Sequence, residues 1–279
     1  MSAAAERGST HVEQAVVTEW SDAASELVVR GLSKHFGGVA AVVDGSFSAL
    51  SGQITGIIGP NGAGKSTMVS LISGAVSPDR GSVKLDGREL GGRSQREIAR
   101  AGVLRSFQIG GEFASLSALE NILIGARVAD PESVWEALAG GRRWRRKEEP
   151  LLARAIELLR EFGLVNKMNS PVGTLSGGER RLVEIARILI ADPRVVLLDE
   201  PTTGVHDVMV GRLEQHIMEI AREDVVVVIV EHELGLVSRC CQQVVMMANG
   251  CVLRQASSLE ELRQDPEVVS AYFGRVGAR

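Results

Sequence analysis

The sequence predicts an α/β core with a helical subdomain inserted between its strands. Three observations carry that reading. Short apolar runs such as Ile54-Thr-Gly-Ile-Ile58 and Val225-Val-Val-Val-Ile-Val230 have the length and β-branched character of strands buried on both faces. The segment Gly59-Pro-Asn-Gly-Ala-Gly-Lys-Ser66 stands between the first of these strands and a helical pattern. Amphipathic helical text then fills residues 116–164, with strand-like runs before and after it.

The elements follow in order. Residues 1–24 mix small, polar and charged types without periodicity and are expected to form a loose extension, leaving 25–279 as one domain. Strand character begins with residues 27–30 and continues through 42–50 and 54–58. A helix is expected from Lys65 to about Ser73, carrying Met68, Val69, Leu71 and Ile72. Further short strands are expected near 82–85, 103–107, 195–198, 225–230 and 243–247. The helical subdomain spans about 109–174, and residues 151–162 give its clearest helix. There is no fixed-period repeat and no sustained heptad.

Composition narrows the class. In 279 residues, 31 Lys+Arg stand against 35 Asp+Glu, for a formal net charge of −4. That balance argues against nucleic acid as the main partner, because neutralising phosphates takes a concentrated basic surface. Hydrophobic residues at 44% and charged residues at 24% are those of an ordinary folded chain, which excludes disorder for its bulk. Cys240, Cys241 and Cys251 are odd in number and have no C-x-x-C spacing, so they read as reduced thiols. No apolar run approaches the roughly 20 residues of a membrane span. The N-terminus lacks the layout of a secretory signal.

Gly59 through Ser66 matches G-x-x-x-x-G-K-[ST] in full. Gly59, Gly62 and Gly64 let the backbone pass close to a polyphosphate, so that successive N–H groups along Gly59, Pro60, Asn61, Gly62, Ala63, Gly64, Lys65, Ser66 and Thr67, Pro60 excepted, can face its oxygens. The helix N-terminus directs a positive partial charge at the same anion. Lys65 brings a mobile full charge, and Ser66 a hydroxyl for Mg²⁺. A second anchor lies at Asp199-Glu200, where a buried strand ends in two carboxylates at the sheet edge where α/β proteins bind ligands. Asp199 suits a water-mediated contact to Mg²⁺, and Glu200 suits polarisation of the water that attacks a γ-phosphate. The nearest approach to a guanine-reading N-K-x-D is Asn166-Lys-Met-Asn169. It ends in the wrong residue and precedes the Asp199 strand, so a GTPase is rejected.

Leu175-Ser-Gly-Gly-Glu179 followed by Arg180-Arg-Leu-Val-Glu-Ile-Ala-Arg187, with Asp199 lying 23 residues after Ser176, resembles the ATP-binding-cassette (ABC) ATPases. The resemblance runs from about Leu27 to Gly274. It implies the ABC ATPase fold, with a P-loop NTPase core, a mixed sheet and the helical insert, and ATP and Mg²⁺ as cofactors. It also implies a second cassette, a copy or a paralogue, whose nucleotide would face Ser176, Gly177 and Gly178; without the resemblance these residues read as a helix cap. Phe36 matches the aromatic that stacks on adenine. Gln108 matches the glutamine that touches Mg²⁺ and opens the segment facing the membrane subunit. His232 matches the histidine at the γ-phosphate, and Glu200 the catalytic carboxylate. In Gly204-Val-His-Asp207 the family's aspartate position holds His206, which departs from the pattern.

Phe36-Gly-Gly38, Ala118-Leu-Glu-Asn-Ile-Leu-Ile-Gly125 and Asp265-Pro-Glu-Val-Val-Ser-Ala-Tyr-Phe-Gly274 resemble the branched-chain (hydrophobic) amino-acid uptake ATPases. The basic stretch at 141–147, Gly-Arg-Arg-Trp-Arg-Arg-Lys, resembles an insertion of that group and otherwise reads as a solvated loop. Leu-Ser-Gly-Gly-Glu-Arg-Arg is closer to the lipopolysaccharide-exporter ATPase. The expectation is an ATPase subunit of an importer, peripheral on the cytoplasmic face of the cell membrane. Its partners would be permease subunits and, indirectly, a solute-binding protein. The alternatives are an exporter ATPase and a soluble ABC ATPase outside transport.

Overall fold

The computed structural model describes residues 24–106, 113–129, 142–222 and 224–273, so the extension expected at 1–24 lies almost wholly outside it. Strands β1 (Glu26–Phe36) and β2 (Val39–Leu50) form an antiparallel hairpin. Two further strands join it. After β3 (Ile54–Ile58), β4 (Arg80–Leu85) pairs with β1, and β5 (Arg88–Glu89) pairs with β4, so the first sheet has the order β2-β1-β4-β5.

Among the described residues, the second sheet has six strands. With β6 (Val103–Arg105), β7 (Val195–Asp199), β8 (Val226–Val230), β9 (Gln243–Ala248) and β10 (Cys251–Ala256), its order is β10-β9-β3-β8-β7-β6. Strands β9, β3, β8, β7 and β6 run parallel, whereas β10 is antiparallel to β9. The mixed sheet expected from the sequence is present. Strand β10 was not expected, because Cys-Val-Leu-Arg-Gln-Ala is mostly half-buried and has no clean two-residue alternation.

Helices cover both faces, as parallel strands require. They are α1 (Lys65–Ile72), α2 (Gln95–Arg100), α3 (Ala118–Ala129), α4 (Arg142–Glu161), α5 (Gly177–Leu189), α6 (Asp207–Arg222), α7 (Leu234–Cys240), α8 (Leu259–Arg263) and α9 (Pro266–Phe273). Strand β8 shows how one run serves two cores. Val226, Val228 and Val230 pack with Met68 and Ile72 of α1 and with Leu27 and Val29 of the first sheet. Val227 and Ile229 face the other way, toward Leu182, Ile185 and Ile217 of α5 and α6. All five β8 residues are fully buried, each contributing up to about 1.5–3 kcal/mol.

Between β6 and β7, α3 and α4 pack together and onto α5 through Ile122, Ala155, Leu158 and Leu182. Arg142 to Lys147 of the basic stretch have helical backbone at the start of α4, not the loop that their composition suggested.

Candidate nucleotide site

The sheet order brings three strand ends together. Strand β8 lies between β3 and β7, and Val230 at its end is in register with both Ile57 and Asp199. The phosphate loop after β3, the carboxylates ending β7 and the loop carrying His232 after β8 therefore share the C-terminal edge of the sheet.

The phosphate loop is built by glycine. Gly59 has φ +150°, and a Cβ there would come within 2.0 Å of the Met247 carbonyl oxygen. Gly64 has φ +97°, and its Cβ would come within 2.3 Å of the Ala41 carbonyl oxygen. The loop is thus pressed between β9 and the hairpin that ends in Phe36. Lys65 folds back into it, its Nζ donating to the carbonyls of Gly59 at 2.8 Å and Pro60 at 3.1 Å. Burial holds the Lys65 ammonium below the usual lysine range, and the charges of Glu200 and Asp199 oppose that shift. Asn61, Gly62 and Ser66 are exposed.

On the acidic side, Asp199 Oδ2 accepts from Arg105 at 2.7 Å, and its backbone N–H donates to Ser106 Oγ at 3.1 Å. Arg105 also donates to Ser70 Oγ at 2.8 Å, linking β6 to α1. Glu200 has φ +46°, a left-handed conformation that non-glycine residues seldom adopt. Its N–H donates to the Val230 carbonyl at 2.9 Å, its carbonyl accepts from Arg181 at 2.6 Å, and its Oε2 accepts from Thr203 Oγ1 at 3.2 Å. His232 Nδ1 lies 4.0 Å from Glu200 Oε1. Lys65, Asp199, Glu200 and His232 are therefore gathered as the sequence led us to expect.

Other expected residues take different places. Phe36 is half exposed at the end of β1, with Lys34 Nζ 5.7 Å from its ring centroid. Gln108 lies outside the described residues. Ser176 is the N-cap of α5 in a reciprocal box with Glu179: its Oγ accepts from the Glu179 N–H at 3.3 Å, and its own N–H donates to the Glu179 carboxylate at 2.9 Å. These bonds hold the Glu179 carboxyl below the usual range. The two glycines that follow have a packing reason of their own. A Cβ on Gly177 would come within 2.6 Å of the Gly204 carbonyl, and one on Gly178 within 2.8 Å of Met209 Cβ. The start of α5 therefore rests against the loop that leaves Glu200. In that loop His206 is exposed, and its carbonyl accepts from the N–H of Met209 at 2.7 Å.

The donors fit Mg²⁺, which prefers hard oxygen and commonly takes one or two carboxylates with substrate phosphates. Asp199 Oδ1 is buried without a hydrogen-bond partner, while Oδ2 is held by Arg105. Ser66 offers an exposed hydroxyl one residue after Lys65. Among the described residues, no three His, Cys, Asp or Glu side chains cluster as an all-protein metal site.

Sequence reasoning missed three residues that shape this edge: Arg105, Arg181 and Glu231. Arg181 had a local signal, since it lies two residues after Leu175–Glu179, in the helix that Ser176 caps. The partners of the other two are distant in the chain.

This fold and this loop define an ATP-binding cassette. Residues 42–203 match the model of the family described as ABC transporter, and the chain belongs to that family. It is the ATP-hydrolysing cassette subunit of a transporter. Among its relatives, the probable branched-chain amino acid transport ATP-binding protein LivG of Archaeoglobus fulgidus is 33% identical, covering 89% of this chain and 95% of its own. The high-affinity branched-chain amino acid transport ATP-binding protein BraF of Pseudomonas aeruginosa is 34% identical over 89% of this chain and 97% of its own. A nucleotide-free ATP-binding cassette from an ABC transporter superposes with a TM-score of 0.79 at 31% identity, covering 90% of this chain and 99% of that one. A cassette in its ADP conformation gives 0.78 at 32% identity, with the same coverage. Among the described residues, no helix is long and apolar enough to cross a membrane.

Proposed function

We propose that this chain hydrolyses ATP for an importer of branched-chain amino acids or related small solutes. The observation that carries the hydrolytic reading is the convergence of Lys65, Asp199, Glu200 and His232 at one sheet edge. The solute class rests on the names of relatives from bacteria and archaea.

In this reading, Gly59 to Thr67 cradle the phosphates, Lys65 exchanges its loop carbonyls for phosphate oxygens, and Phe36 stacks on adenine. Ser66, Asp199 and Gln108 would hold Mg²⁺, which would neutralise charge on the phosphates. Glu200 accepts a proton from the attacking water, and His232 steadies the water and the γ-phosphate. Ser176, Gly177 and Gly178 face the nucleotide of a second cassette, the serine hydroxyl turning away from Glu179 to do so. Residues 25–279 work as one cassette, with a helical subdomain at about 109–174 and residues 1–24 as a loose extension. The cassette docks on permease subunits at the cytoplasmic face of the membrane, and a solute-binding protein acts through them.

Membrane fractionation tests the partner claim. The chain should sediment with membranes when permease subunits are co-expressed and stay in the supernatant without them. Equal binding to protein-free liposomes would contradict docking through a permease.

A further inference from the structure

Glu231, between β8 and His232, has no solvent exposure. A buried carboxylate needs strong donors, and this one has four. Its Oε1 accepts from Thr202 N–H at 3.1 Å and Thr202 Oγ1 at 2.6 Å. Its Oε2 accepts from the N–H groups of His232 at 3.1 Å and Glu233 at 3.5 Å. Its own N–H donates to the Ile57 carbonyl at 3.2 Å, just before the phosphate loop. One residue thus touches all three strand ends of the site. Thr202 stands two residues after Glu200, so the carboxylate ties the Glu200 loop to the His232 loop. The His232 ring nitrogen lies 3.9 Å from Glu231 and 4.0 Å from Glu200.

We propose that Glu231 is a positioning residue for hydrolysis. It fixes the separation of Glu200 and His232 so that both meet one water and one γ-phosphate. This rests on the reading of Glu200 and His232 as the hydrolytic pair. A carboxylate serves because it presents acceptors to both loops at once; glutamine offers one acceptor oxygen and turns an NH₂ toward the other loop's N–H groups. An apolar side chain would leave those groups unpaired.

The test is turnover and MgATP affinity of the full chain for Glu231→Gln, Thr202→Val and the double variant, with Glu200→Gln as control. Glu231→Gln should lower kcat by about tenfold or more, with the MgATP Kd within about threefold of the parent. Thr202→Val, which removes one hydroxyl at constant shape, should lower kcat by about threefold at unchanged Kd. The double variant should be no slower than Glu231→Gln, because both changes open the same clamp. Should Glu231→Gln fail to fold, Thr202→Val decides by the same split. Parental kcat in these variants beside an impaired Glu200→Gln would overturn the proposal. So would losses of kcat matched by equal losses of affinity, or losses that multiply in the double variant. A Glu200→Gln control at the parental rate would remove the hydrolytic pair itself, and the proposal with it.

Discussion

Arg181 Nη2 donates to the carbonyl of Glu200 at 2.6 Å, joining the helix capped by Ser176 to the carboxylate at the end of β7. The same guanidinium reaches the carbonyls of Asp199 at 3.2 Å and Pro201 at 3.0 Å, so it holds three successive residues around a backbone at φ +46°. A planar fork can do this where a point charge cannot. Because α5 starts at Gly177 against Gly204, movement of the cap would be felt at Glu200.

Arg181 is buried and bonds the buried Glu184 at 2.6 Å. Replacing it with methionine removes the hydrogen-bonded cation of that carboxylate, leaving the charge of Arg187 as its support, and should destabilise the chain by about 3–5 kcal/mol. Chemical denaturation of the parent and Arg181→Met measures this. A loss under about 1 kcal/mol would mean that the bonds to β7 and Glu184 contribute little.

Lys65 gives a pH dependence. Its folded pKa lies below the ordinary lysine value, mainly because burial disfavours the ammonium. As pH rises through that lowered value, the phosphate loop loses its full charge while the unfolded chain would still hold the proton. MgATP affinity should therefore fall on the alkaline side before ordinary lysines titrate. Fold stability should move the opposite way in that window, because the unfolded state binds more protons. Lys65→Ala should bind MgATP about tenfold or more weakly at neutral pH and lose the alkaline fall, as read by titration calorimetry. A parental affinity independent of pH up to the lysine range would contradict this role.

The thiols should differ in reactivity. Burial pushes Cys240 up to about 11 and holds Cys241 higher still, while Cys251 is partly exposed at the start of β10. Burial therefore keeps Cys240 as the less reactive thiol at pH 8. Iodoacetamide followed by peptide mapping should label Cys251 first in the native chain. Early labelling of Cys240 or Cys241 would contradict their burial.

Much of this was legible in the sequence, for identifiable reasons. Strands β3, β7 and β8 are short runs buried on both faces, so their composition alone marks them. The phosphate loop carries local chemistry in eight consecutive residues. Helix α6 was not among the expected elements, although Met209, Leu213, Ile217 and Ile220 recur at helical spacing. The roles of Glu231 and Arg105 were not legible: Thr202 and Asp199 reach them through sheet order, across 29 and 94 positions of chain. Ser176 read as a cap or as an anion site, and the bonds to Glu179 make it a cap in this structure.

Glu200→Gln tests the central claim most directly. The substitution keeps the shape of the side chain and removes its charge, leaving Lys65, Ser66 and Asp199 in place to hold MgATP. Phosphate release should fall by about 10²-fold or more while MgATP still binds, so that trapped nucleotide accumulates in an ATP-dependent pair of cassettes. Hydrolysis at the parental rate, with bound nucleotide turned over to ADP, would contradict the assignment of Glu200 as the base.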